Sequence, residues 1–325
     1  MAENFLVTGG QGFIGAWVVR QLLLEGTPVS ILDRSPYDGI LSQVIAPAAV
    51  AQLRRFHGDI ADGDFVRSVV RKAEATRIIH LAGLQVPACR TDPVAGAKVN
   101  VIGTLNVFEA ARTVRGVEAI AFASSAAVAG LPGDYGAPFD DDARHMPRTH
   151  YGVFKTANEG NARVYFFDHG IPSVALRPLT VYGVGREVGL TSGPTKALKA
   201  AVLGRPYAIG FTGPTGFSYA ADVAGLFIAC LRARPQGALA LNIRGEVALV
   251  EEFVQTIGEE IPEMRGKITC AGPQVPIACD AQEKGLEALL GPGAIPRTSL
   301  RQGIRSTLEI FRSLQREGRL HDRDL

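Results

Sequence analysis

The sequence predicts an α/β fold, a doubly wound parallel sheet with a smaller C-terminal region capping it, and three observations carry that prediction. Short β-rich apolar runs alternate with amphipathic stretches of helical period through the first half of the chain. No hairpin signal separates successive runs, so the connections read as right-handed crossovers under a sheet covered on both faces. The 325 residues, 46% of them apolar and 20% charged, suffice for one large core and a smaller cap.

The strands are expected at residues 4–8, 28–33, 53–57, 77–81, 117–123 and 173–177. Helices are expected between them at 13–25, 62–73, 93–115 and 151–169. After Arg177-Pro178 glycine and proline become frequent, and helices at 194–203 and 250–259 are set among irregular segments. Residues 239–243 read as one more core strand, so the chain is expected to return to the first domain. The resulting organisation is a nucleotide-binding domain at 1–178 with a return segment at 216–245, and a substrate-binding cap at 179–215 and 246–320. A last helix at 300–316 leads into a charged tail expected to be loose.

Composition excludes several classes. The net charge of +2 gives no broad electrostatic reason to expect nucleic acid or an anionic membrane as partner. The late arginines are interleaved with acids at helical spacing, as on a solvated face. Four cysteines without a CxxC pair, and no histidine cluster, argue against a metal site and for a reduced cytoplasmic setting. The N-terminus runs straight into a strand without signal-peptide features, and the longest apolar candidate, 223–231, is too short to span a bilayer.

Thr8-Gly9-Gly10-Gln11-Gly12-Phe13-Ile14-Gly15 lies between the first strand and the first helix. Gly9 permits the tight turn, Gly12 lets backbone N–H groups approach a pyrophosphate, and Gly15 lets helix and strand pack closely. The helix N-terminus at Phe13 and Ile14 offers unpaired N–H donors to phosphate. This is a Rossmann-type dinucleotide site. Asp33 ends the second strand, where a carboxylate accepts from both ribose hydroxyls and repels a 2′-phosphate, which favours NAD over NADP. Arg34 beside it suits adenine stacking or a phosphate. Asp59 suits the adenine amino group, with an ordinary surface turn as the competing reading.

Tyr151 and Lys155 stand four apart on a predicted helix, hence on one face. A phenol of pKa about 10 is a poor base at neutral pH, and a neighbouring cation lowers it. Tyr151 then takes a proton from an alcohol while hydride leaves the same carbon. Ser125 follows the fifth strand and suits the substrate oxygen, although a chain-turning serine reads the same. Asn100 falls inside the predicted 93–115 helix, with backbone bonding near a strand end as its bland reading.

Together these residues resemble the extended branch of the short-chain dehydrogenase/reductase family, which includes nucleotide-sugar epimerases and dehydratases. The resemblance covers about residues 4–245 and rests on the glycine loop, Asp33, Gly58-Asp59-Ile60, His80-Leu81-Ala82-Gly83, Asn100 with Gly103-Thr104, Ser124-Ser125, Tyr151 with Lys155, Leu176-Arg177-Pro178 and Val181-Tyr182-Gly183. It implies Tyr151 as acid/base, Lys155 on the nicotinamide ribose, Ser125 on the reacting hydroxyl, and Ile60, Leu81, Ala82, Gly83 and Asn100 around NAD. It also implies a homodimer through the helices at 93–115 and 151–169.

Three departures from that pattern bear on substrate. Thr180 replaces the usual asparagine, Thr215-Gly216 stand where an Arg-Asp pair normally meets a diphosphate, and Ala129 replaces a pocket tyrosine. A diphosphate needs cationic partners, so the sequence leans toward a substrate without a nucleotide. The expected activity is NAD-linked oxidation of a secondary alcohol on a free sugar, sugar acid or polyol. Candidate substrate contacts are Ser125, Gln85, Thr180, Arg186 and Thr191, with Ser192 in the same loop as the last two. An exposed loop arginine is the rival reading for Arg186. The alternative activity is epimerisation of a (nucleotide-)sugar through a transient ketone, since the same residues and cofactor serve both. A non-catalytic NAD sensor is a third reading, against which the intact Tyr151, Lys155 and Ser125 speak.

Overall fold

The computed structural model describes residues 3–135 and 138–325. The main sheet has seven strands: β1 (Phe5–Thr8), β2 (Val29–Asp33), β3 (Arg54–His57), β4 (Arg77–His80), β5 (Ala119–Ala123), β6 (Ser173–Pro178) and, much later in the chain, β10 (Ala238–Ile243). Their spatial order is β10-β6-β5-β4-β1-β2-β3, with every neighbouring pair parallel. The order reverses beside β1, so a crevice opens at the carboxyl ends of β1 and β4.

Alternation along the strands feeds two cores. Phe5 and Val7 of β1, with Ala119, Ala121, Val174 and Leu176, face α1 (Phe13–Leu24) and α10 (Ala220–Arg232). Leu6, Ile78, Ile120, Phe122 and Ala175 face the opposite layer, where α4 (Gly63–Lys72), α7 (Gly103–Thr113) and α8 (His150–His169) lie. Burial on both faces is what a parallel sheet requires, and it explains why the strands read as continuous apolar runs.

Beyond β6 the chain builds over the carboxyl end of this sheet. There β7 (Thr180–Tyr182), β9 (Pro214–Tyr219) and β11 (Glu246–Leu249) form a three-stranded sheet, and β8 (Tyr207–Ile209) pairs with β12 (Ile268–Cys270). Helices α9 (Gly193–Val202), α11 (Val250–Glu260) and α13 (Leu300–Arg316) pack around them, α12 (Lys284–Leu290) lies against β10 and α10, and α10 carries the chain back to β10.

Two expectations need correction. The single helix expected at 93–115 is broken: α5 (Val86–Thr91) and α6 (Pro93–Ala97) precede a π turn at Lys98–Ile102, and only then does α7 begin. That turn sends the Asn100 amide inward, where it accepts from the Leu84 N–H at 2.7 Å and donates to the Leu84 carbonyl at 2.9 Å. The tail after α13 is not loose. The Lys199 side chain of α9 is only 2% exposed, and a buried ammonium needs an anion. Asp324 supplies it at 2.6 Å, laying the tail against α9. The short helices α2 (Leu41–Val44) and α3 (Pro47–Ala51) lie between β2 and β3 in the chain, with α2 packed against α1. Among the described residues no helix is long and apolar enough to cross a membrane.

Candidate active site

Two cavities meet in the crevice. The outer one, of about 390 Å³, is lined by Gly9, Gln11, Gly12, Asp33, Arg34, Asp59, Ile60, Leu81, Ala82 and Gly83 among others. The inner one, of about 320 Å³, shares Gly9, Gly12, Leu81 and Gly83 and continues past Phe13, Ile14 and Gly15 to Ser125, Tyr151 and Lys155. The continuous groove has the shape of a dinucleotide site ending at a reaction chamber.

The glycines are required by close approach. Gly9 has φ +69, and a Cβ there would stand 2.6 Å from the Ala82 nitrogen. A Cβ on Gly15 would stand 2.1 Å from the Gly9 carbonyl oxygen. Gly12 caps α1 without any side-chain bond, so the first N–H groups of the helix stay open to a phosphate. The Asp33 carboxylate accepts from the Gln11 N–H and the Ser35 N–H, both at 3.0 Å, which fixes it at the rim with lone pairs to spare for ribose hydroxyls.

Asn100 lies behind the groove and supports it without lining it. Thr104 donates to the Asn100 carbonyl at 2.7 Å, so its oxygen accepts from His80 Nε2 at 3.0 Å. His80 Nδ1 is then the acceptor for the Thr8 hydroxyl at 2.6 Å. Burial, with the Lys155 charge nearby, pushes the His80 pKa down to about 3, so the ring stays neutral. This chain of bonds clamps the backbone from Leu81 to Leu84, the wall shared by both cavities.

Thr149 caps α8, accepting from the Gly152 N–H at 3.0 Å, and so starts the helix at His150, one residue before Tyr151. One turn on, Lys155 Nζ donates to the Ala123 carbonyl at 2.6 Å and lies 5.3 Å from the Tyr151 ring centroid. Burial lowers the Lys155 pKa to about 8, opposed by Cys89 and Glu159. Burial raises the Tyr151 pKa, opposed by a hydrogen bond from Ser125 and by the Arg186 charge. Ser125 Oγ also accepts from the Ala127 N–H at 3.1 Å, so the turn-capping reading and the substrate-facing one are both satisfied by one hydroxyl.

A further turn along α8, Glu159 binds the Ser124 hydroxyl and takes a two-pronged ion pair from Arg177, at 2.8 and 2.6 Å. Arg177 also donates to the Asp141 carbonyl and His145 Nε2. The serine strand end and α8 are thereby fastened together.

Arg186 reaches the inner cavity, 5.7 Å from the Phe13 centroid. Its guanidinium donates to Gln85 and to the Thr191 hydroxyl, each at 3.3 Å, and Nε has no hydrogen-bond partner among the described residues. The Gln85 amide in turn donates to the Val188 carbonyl at 3.1 Å. Burial depresses the Arg186 pKa and Tyr151 opposes that shift. The remaining lining includes Arg90, Arg148 and the apolar Leu179, Leu190, Val275, Pro276 and Ile277; it contains no carboxylate. Thr180 is not part of this lining. Its buried hydroxyl pairs with Thr215 at 2.8 Å, so the two positions that depart from the nucleotide-sugar pattern satisfy each other. Ser192 turns back to the Gly189 carbonyl at 2.9 Å.

Sequence reasoning missed Glu159, although it extends the four-residue spacing of Tyr151 and Lys155. It also missed Arg90, Arg148 and the stretch from Val275 to Ile277, which no local pattern ties to a site.

Residues 5–243 match the model of the NAD dependent epimerase/dehydratase family. UDP-glucose 4-epimerase of Azospirillum brasilense is 30% identical over 97% of this chain and 93% of that protein. The enzyme of the same name from Streptomyces lividans is 30% identical over 86% of this chain and 88% of its own. The Thermus thermophilus UDP-glucose 4-epimerase, crystallised with NAD, superposes with a TM-score of 0.79 at 26% identity, over 95% of this chain and 99% of that one.

Proposed function

The chain belongs to the NAD-dependent epimerase/dehydratase family, and from that premise we propose that it inverts a secondary alcohol of a nucleotide-linked sugar through a transient ketone. It is an NAD-dependent enzyme of the extended short-chain dehydrogenase/reductase type. The lean toward a nucleotide-free substrate gives way here. Its premise was that cations for a diphosphate are missing, and three arginines from other parts of the chain stand in the cavity instead. The observation that carries the proposal is this chamber: Tyr151, Ser125 and Lys155 at its floor, Arg186 and Arg90 in its lining with Arg148, which pairs with Asp134 at 3.3 Å, and no acid in the lining among the described residues. An acid-free chamber with several cations favours a substrate carrying multiple negative charges.

Bound NAD supplies the hydride acceptor and then the donor. Tyr151 takes the hydroxyl proton as the carbon is oxidised and returns it when the ketone is reduced from its other face. Ser125 donates to the reacting oxygen as negative charge develops there. Lys155 holds positive charge beside the phenol, and Arg186 anchors an anionic group of the substrate close to Tyr151.

The test is to incubate the enzyme and NAD with UDP-sugars and, separately, with free sugar acids, following epimers by NMR and reduced nicotinamide by absorbance. Epimer interconversion without net reduction is the expected result. Arg186→Met should raise KM about 10- to 100-fold, the worth of a charge-assisted bond. Net reduction with a free sugar acid would instead establish dehydrogenation, a second reading favoured by the mutual saturation of Thr180 and Thr215. Turnover in neither assay would sink both.

We also propose that the protein works as a homodimer. Val153, Val164 and Phe167 are 49%, 55% and 79% exposed, and their spacing puts them on one stripe of α8. Val94 and Ile102, in the adjoining helical segment, are exposed as well. An apolar stripe of this kind on two adjoining helices suits a second copy of itself across a two-fold axis. Light scattering should return twice the chain mass for the native protein and the monomer mass for Phe167→Glu. A native monomer would refute the assignment.

A further inference from the structure

We propose that residues 319–325 form a strap that positions the substrate loop, residues 183–192, through the shared ion cluster Asp324–Lys199–Glu187. The Lys199 ammonium is enclosed between two carboxylates, Asp324 at 2.6 Å and Glu187 at 3.6 Å, above the Phe311 ring. Lys196 donates to the Asp324 carbonyl, Arg205 pairs with Asp322, and Arg319 donates to the Ser42 carbonyl. The strap is therefore tied to α9 and to α2.

Glu187 is the residue after Arg186. Besides facing Lys199 it accepts from the Gln43 amide of α2 at 3.0 Å. One residue before Gly185, the Val184 carbonyl accepts from Trp17 Nε1 at 3.0 Å. The loop is thus held underneath by Trp17, Gln43 and Lys199, while its upper side presents Arg186 and Thr191 to the chamber. Among the described residues Arg186 itself makes two 3.3 Å bonds to neutral partners and lies 5.7 Å from the Phe13 centroid, so its place depends also on the backbone beneath it.

The two carboxylates compete for one buried cation. With Asp324 present, Glu187 stays at the longer distance and remains free to hold Gln43. Without Asp324, Glu187 becomes the main counter-ion of a desolvated ammonium and is drawn toward it. That movement drags residues 185–188 and shifts the Arg186 guanidinium relative to Tyr151. Asp324 and Lys199 are positioning residues: neither lines the chamber.

The argument from Arg186 to substrate rests on the proposed function, but the loop displacement does not, and the protein carries its own reporter. Trp17 is its single tryptophan and bonds the loop directly. The variants are Asp324→Ala, Lys199→Met and the double replacement, each measured by Trp17 emission, hydrogen exchange of residues 183–192, thermal unfolding, and KM and kcat. Asp324→Ala should shift the emission, speed exchange in the loop, and raise KM about tenfold with a smaller effect on kcat. The double variant should be no worse than Lys199→Met alone, because the two residues act through one contact. Unchanged emission and exchange in Asp324→Ala, with only the melting temperature lowered, would overturn the strap. Shifted emission and exchange with unchanged KM would keep the strap and remove Arg186 from substrate binding.

Discussion

Tyr151→Phe should lower kcat by about 10²- to 10⁴-fold, the usual worth of a positioned acid/base, while NAD still binds and the fold is kept. The phenyl ring fills the same space on α8, so the contact beneath Lys155 is preserved and only the hydroxyl is lost. What is removed is the group to which the proposed function assigns the proton transfer. The pH profile carries the finer test. Burial raises the Tyr151 pKa, so at neutral pH the phenol keeps its proton and the oxidative half-reaction should accelerate as pH rises. Lys155 and Arg186 both place positive charge near the phenol, which favours phenolate. Lys155→Met should therefore move the alkaline rise to higher pH. A Tyr151→Phe variant within a few-fold of the native rate would remove Tyr151 as the acid/base, and an unmoved or acid-shifted profile in Lys155→Met would remove Lys155 as its partner.

The apolar runs of the main sheet were legible because a strand buried on both faces leaves a run that few other structures leave. The glycine loop was equally plain, since Gly9 and Gly15 stand where any Cβ would strike backbone. Function proved harder for a physical reason. Cations that recognise an anion need only converge in space, so Arg90 and Arg148, which line the inner cavity with Arg186, leave no trace in local spacing. Asn100 shows the same limit at smaller scale: helical periodicity runs through residues 93–115, and nothing in it marks the π turn at which the amide meets the Leu84 backbone. The tail was misread because its charges looked solvated, whereas their partners Lys199 and Arg205 lie more than a hundred residues away.

The largest stability effect should come from the ion pair behind the chamber. Glu159 and Arg177 are 4% and 2% exposed, and each is the other's main counter-charge. Glu159→Leu leaves the buried Arg177 guanidinium without its main counter-charge and takes away the acceptor of the Ser124 hydroxyl. Breaking one side of such a pair costs about 3–5 kcal/mol. The double variant Glu159→Leu with Arg177→Met removes both charges and should recover much of that loss, because apolar side chains of similar volume need no partner. Denaturant unfolding of the two variants separates the cases. A double variant as unstable as the single would mean that the bonds from Arg177 to the Asp141 carbonyl and His145, rather than charge pairing with Glu159, hold this region together. Activity should follow a different order. Both variants lose the Glu159–Ser124 bond, which fixes the strand end carrying Ser125 beside Tyr151, so kcat should stay depressed in the double variant even where stability returns. Recovery of kcat together with stability would show that Ser125 is positioned by its own turn alone, through the bond it accepts from Ala127.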